Sequence, residues 1–92
     1  MTTAETLIQT RALIEDPLDW SSRGWGDEGG PRCLVHALMV ASNTGLRTVT
    51  HLPEWSALNA AMPEPMYLGS YNDNHSHADV LALIDRAIEA AS

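Results

Sequence analysis

The apolar positions of this chain follow two different rhythms. Over residues 33–43 (CLVHALMVASN) nearly every side chain is apolar, and Leu34, Val35, Ala37, Leu38, Met39, Val40 and Ala41 leave His36 as the one strongly polar group before Ser42. A helix that is apolar all round belongs in a core, whereas a surface helix carries only a stripe. The length of the run, its alanines and its end signals favour helix over buried strand. Gly30 and Pro31 stand where a helix would open, and a proline in the first turn gives up an N–H that has no partner anyway. Asn43-Thr44-Gly45 supplies the stop, with Gly45 suited to the left-handed closing conformation. The pattern places a central, buried helix over 33–43.

Striped helices flank it. Thr2 and Glu5 have capping-box spacing. Ala4, Leu7, Ile8 and Ile14 then recur on one face, with Glu5, Gln9, Arg11 and Glu15 toward water. Pro17 disfavours helical geometry at Asp16 and ends this first helix there or just before. Near the other terminus Ser76 and Asp79 form a second capping pair. Val80, Leu81, Ile84, Ala87 and Ile88 make a stripe opposite Asp79, Arg86 and Glu89, predicting a helix from Ser76 to Ala90. Between these, Pro53 opens a helix over Glu54–Met62, with Trp55, Leu58 and Met62 on one face and Glu54 favourable in the first turn.

The remainder reads as connection. Asp19–Gly30 is rich in Gly, Ser and Asp, and its Trp20 and Trp25 are expected to pin the loop to the core. Leu46–Thr50 is β-branched and suggests one short extended segment. Pro63 and Pro65 force an extended run through Met66, Tyr67 and Leu68, followed by turn chemistry over Gly69–Asn74. The expected fold is mainly α: a small single domain of three to four helices. The 33–43 helix is packed between the first and last, with tryptophan-bearing segments closing over it.

Composition narrows the function classes. With 92 residues and 10.0 kDa the chain supports one modest core. Five arginines face twelve carboxylates for a net charge of -7, and the arginines are scattered. That balance opposes nucleic acid and anionic membranes and suits a basic protein partner. The single cysteine, Cys33, allows neither an internal disulfide nor a cysteine zinc cage. No signal segment or long apolar run is present, so a reducing cytoplasm is the expected location. Gly24–Gly30 is not a phosphate loop, because the chain has no lysine and Asp27 and Glu28 would repel phosphate.

Two pieces of the chain carry a resemblance. One is Cys33-Leu34-x-x-Ala37-Leu38. The other is Tyr71-Asn72-Asp73 followed, after a short loop, by Val-Leu-Ala-Leu-Ile-Asp-Arg-Ala over Val80–Ala87. Together they resemble the DUF6197 family, small uncharacterised proteins found in actinobacteria and their phages. That family usually has Trp where this chain has Tyr71, and a small residue, often Gly, where it has His36. The resemblance implies a shared fold and a source. It brings no activity.

Three groups of residues are candidates for chemistry. Tyr71, Asn72, Asp73 and His75 would set an amide and a carboxylate beside an aromatic wall for a ligand. Asn and Asp more commonly bond neighbouring backbone and fix a turn. His75 and His77, with Asp73 and Asp79 nearby, are weak metal candidates, since zinc needs three or four converging ligands and this entry supplies two histidines. Cys33 and His36 share a helical face at i, i+3, where a helix N-terminus favours thiolate. Cysteine is as often a small buried hydrophobe, and no oxyanion loop is apparent.

The expected function is therefore a non-enzymatic, acidic interaction module that binds another protein or self-assembles as a homo-oligomer, with no cofactor. Trp25, Tyr71, Asn72, Asp73 and His75 are its candidate contacts. The alternative is a small hydrolase or ligand-binding protein using Cys33, His36 and the 71–77 loop. A third reading, an acidic nucleic-acid mimic, requires carboxylates ranged on one face, and the sequence spreads them along the chain.

Overall fold

Thr2 opens the first helix as its spacing predicts. Its hydroxyl accepts the Glu5 amide at 3.1 Å, and the Glu5 carboxylate accepts the Thr2 N–H at 3.0 Å. This reciprocal cap starts α1 (Thr3–Ile14) in a computed structural model that describes residues 1–22 and 30–92. The helix stops before Pro17, and Asp16 caps a 3-10 turn over Pro17–Asp19 by accepting the Leu18 amide.

The buried face of α1 differs from the predicted stripe. Leu7 and Ile14 are fully buried, but Ile8 is 52% exposed and Thr6 and Thr10 go inside. Their hydroxyls bond back along the helix, Thr10 to the Thr6 carbonyl at 2.8 Å and Thr6 to the Thr2 carbonyl at 3.2 Å. A threonine whose hydroxyl is satisfied this way buries its methyl cheaply. The rotation this permits turns Ile8 out.

Five further helices follow: α2 (Leu34–Ser42), α3 (Leu46–Val49), α4 (Pro53–Ala61), α5 (Leu68–Asn74) and α6 (His77–Ala91). Among the described residues six helices thus stand where the pattern predicts three to four, and the two extra ones are short. Leu46–Thr50 is not extended. The Gly45 carbonyl accepts the Thr48 and Val49 amides, and the turn tucks Val49 into the core. The second correction is α5, which replaces the turn expected over Gly69–Asn74. One helical turn of spacing brings Leu68, Tyr71 and Asn72 onto a single buried face, a gain that a local turn would forgo.

The stop after α2 also differs in detail. Asn43, at φ 55°, takes the left-handed position assigned to Gly45, and the Asn43 and Thr44 amides close onto the Val40 and Met39 carbonyls. Asparagine is the residue other than glycine that enters this region most readily. Gly45 instead starts α3 from an extended backbone.

The helix at the centre is α1. It packs against α2, α6 and α4, and α4 packs against α6, whereas α2 and α6 make little direct contact. The expected sandwich with the 33–43 helix in the middle is therefore inverted. α2 buries Leu34, Val35, Ala37 and Leu38 but leaves Val40 44% exposed, so its all-round apolar character covers one core face and one surface face. Among the described residues no helix is long and apolar enough to cross a membrane.

Candidate functional site

Asn72 sits fully buried on α5 and meets two segments remote in sequence. Its side-chain oxygen accepts the Trp20 indole N–H at 2.7 Å and the Leu34 amide at 3.0 Å. Its side-chain nitrogen donates to the Ser21 carbonyl at 2.8 Å and to the Asp73 carboxylate at 3.2 Å. An amide has two donor hydrogens and two acceptor lone pairs, so every capacity is used. Leu34 is the first residue of α2, and its N–H has no partner inside the helix. Asn72 supplies one.

Ser21 and Leu34 are the two ends of one segment. An isolated parallel bridge between Trp20 and Arg32 draws the same ends together, with the Ser21 amide on the Arg32 carbonyl and the Arg32 amide on the Asp19 carbonyl, both at 2.9 Å. The result is a closed neck at the base of the chain between Ser21 and Arg32. Trp20 belongs to this neck. It packs partly buried against the core, its ring 5.3 Å from that of His77. The His77 Nε2 lies 2.6 Å from the Ile14 carbonyl, which accepts only, so this nitrogen carries the proton. Trp20 and His77 thereby tie the neck to the end of α1. Trp25, the other predicted anchor, lies outside the described residues.

The model of one protein family, described as a family of unknown function (DUF6197), matches residues 1–90, nearly the whole chain. The chain belongs to the DUF6197 family. No curated protein and no solved structure matches it. The family match takes in α1 and the neck as well as the two motifs that carry the resemblance, Cys33–Leu38 and Tyr71–Ala87.

In this DUF6197 chain the two motifs meet at the neck, through the bond from the Leu34 amide to Asn72. Cys33 is the N-cap of α2, 4% exposed, with its sulfur accepting the His36 backbone N–H at 3.4 Å. Burial pushes the thiol above its ordinary value, and the nearby Asp73 carboxylate acts the same way, against the lowering from the helix-start N–H groups. Desolvation thus outweighs the helix N-terminus, and Cys33 is a neutral thiol near pH 7. His36 is half-buried beside it.

His75 and His77 are separated in purpose. The His75 ring stacks on Tyr71 at 3.9 Å and 12°, and its Nδ1 donates to the Tyr71 carbonyl at 3.0 Å. The opposite nitrogen faces the Glu64 carboxylate at 3.6 Å, an ion pair only when His75 is protonated. Tyr71 is itself buried, while Asp73 is exposed and its carboxylate accepts from Asn72. Among the described residues no three His, Cys, Asp or Glu side chains gather to hold a metal ion.

Sequence reasoning names Asn72 but not its partners. Trp20, Ser21 and Leu34 lie 52, 51 and 38 residues away from it, and no local signal links them. Among the described residues, Arg32 Nε at the neck and Glu54 Oε2 at the start of α4 are buried without a hydrogen-bond partner.

Proposed function

We propose that this protein is a non-enzymatic interaction module of an actinobacterium or its phage. It acts in the cytoplasm by binding a basic protein through Trp25, in the stretch of chain whose two ends Asn72 joins. The observation that carries this reading is the neck itself. A fully buried amide is costly to desolvate and is tolerated only when its bonds are made. Three of the four bonds Asn72 makes go to the two ends of that one segment.

The segment's composition suits display. Trp25 stands between Gly24 and Gly26, with Asp27 and Glu28 beside it. Tryptophan is among the residues that most often dominate binding energy at protein interfaces, and the two carboxylates, with a net charge of -7, favour a basic surface and raise its rate of encounter. Trp20 does not compete for this role, since its indole N–H is engaged by Asn72. The buried, protonated Cys33 thiol favours binding over thiol hydrolysis.

A pull-down from host lysate with wild type and Trp25→Ala tests the proposal. Capture of a basic protein by wild type, lost in the variant at unchanged Tm, supports it. Equal capture by both overturns the assignment to Trp25, and sedimentation showing a homo-oligomer would point to self-assembly instead.

A further inference from the structure

We infer that a shallow groove between α1 and α2 is a second contact surface, and that it receives an apolar side chain from an amphipathic helix whose flanks are basic. The groove, of about 340 Å³, is lined by Gln9, Ala12 and Leu13 of α1 and by Val40 and Ala41 of α2. Each helix contributes an alanine to it, Ala12 from α1 and Ala41 from α2, and so little side chain at those positions. Its walls are mostly apolar, and of them Leu13 is partly buried against the core. Val40 is 44% exposed, and Ile8, one turn before Ala12, is 52% exposed.

A volume at the lower end of ligand-site sizes, left open to solvent, does not enclose a metabolite. It does match the helix-in-groove mode, in which one face of an amphipathic helix lays an anchor into an apolar slot. Charge identifies the occupant. Along the α1 stripe Glu5 stands one turn before Gln9, and Asp16 stands just beyond the helix, one turn after Ala12; both are exposed. Arg11 of the same helix is held away by Asp85 of α6 at 2.7 Å and by Glu15 at 2.6 Å. From the other side α2 offers its C-terminal half, the negative end of its dipole. A second copy of this chain, also at -7, would bring like charge to like charge. A helix with an apolar face and lysines or arginines beside it is complementary.

This inference rests on the binding-module reading for the existence of a partner, and it is independent of the Trp25 segment. The neck and the groove lie at opposite ends of α2, about 10 Å apart at 1.5 Å per residue.

The test titrates the full chain, followed by amide NMR, with a synthetic 14-residue helical peptide of leucines on one face and lysines on the other. Shifts are expected at residues 8–13 and 40–41, with affinity falling about tenfold in Ala12→Gln, which fills the groove without changing charge. Trp25→Ala should leave this affinity unchanged, which separates failure of the groove from failure of the segment. Glu5→Gln, which keeps the helix cap, should lower affinity less and flatten its salt dependence. Shifts scattered over the surface, or equal affinity for the leucine–glutamate counterpart, would overturn the inference. So would self-association that Ala12→Gln abolishes, since the occupant would then be a second copy.

Discussion

The helical body and the neck of the 21–32 segment are held by different physics. In the body Leu7, Ile14, Leu58, Val80, Leu83 and Ile84 are fully excluded from water and meet through apolar contact, which has no direction and scales with buried area. At the neck one buried side chain, Asn72, joins Trp20, Ser21 and Leu34 by bonds of 2.7 to 3.0 Å. The body can lose volume by degrees. The neck can only make a bond or leave a buried group without one, and the second state costs more than the bond itself contributes. Stability of the fold and closure of the segment are therefore separable properties of one small domain.

The largest separation should come from truncating the body. Leu58 is fully buried on α4 where that helix meets α6, and Leu58→Ala should destabilise by about 2–5 kcal/mol in urea unfolding. Exchange of the Leu34 and Arg32 amides should rise only as far as global unfolding does. A loss under about 1 kcal/mol would mean that α4 is peripheral to the body.

Asn72→Leu should come next, at about 3 kcal/mol. Leucine keeps the volume but strands the Trp20 indole N–H, the Leu34 amide and the Ser21 carbonyl, at about 1–3 kcal/mol for each that stays buried. Here the amides of Ser21, Arg32 and Leu34 should exchange by local opening, well below the global unfolding free energy. Retained protection at those amides would show that the Trp20–Arg32 bridge closes the neck without Asn72. Trp20→Phe is milder, about 1 kcal/mol, because Asn72 keeps the Leu34 amide as a donor to its oxygen and the ring still packs near His77.

The same contrast explains what could be read from the sequence. The body was legible because its forces act at helical spacing. Thr2 and Glu5, Pro53, Ser76 and the Val80–Ile88 stripe each announce their element locally, and the boundaries of α1, α4 and α6 fall within two residues of expectation. α3 and α5 were not legible, because four or seven residues carry too little pattern and tertiary burial of Val49, Leu68 and Tyr71 decides them. Ile8 misled for a related reason, since periodicity ranks isoleucine above threonine and cannot see that the Thr6 and Thr10 hydroxyls are satisfied within α1. Of the candidate site residues, Asn72 stood out by type, but its role lies in partners more than 35 residues distant, beyond any spacing argument. Cys33 showed the opposite limit: its place at a helix start was visible, while the burial that governs its chemistry was not.

Cys33 lies on the seam between the two regions and gives the smallest and most specific test. As N-cap of α2 it is adjacent to the neck, yet at 4% exposure it is a member of the core. Its folded pKa is raised above the ordinary thiol value of 9.0, chiefly by burial. The stabilisation from keeping this thiol neutral is therefore complete below the unfolded value and is lost as pH rises through the folded one, where only the unfolded chain ionises readily. Tm should be flat around pH 7 and fall above about pH 9, and the fall should be shallower in Cys33→Ala, which has no thiol to ionise. Alkylation by iodoacetamide at pH 7 should be slow in wild type and accelerate in Asn72→Leu, because opening the neck exposes the start of α2. If alkylation is as fast in wild type as in urea, Cys33 belongs to neither region's interior. Equal acceleration by Leu58→Ala at matched stability would show that neck and body open together, removing the distinction between them.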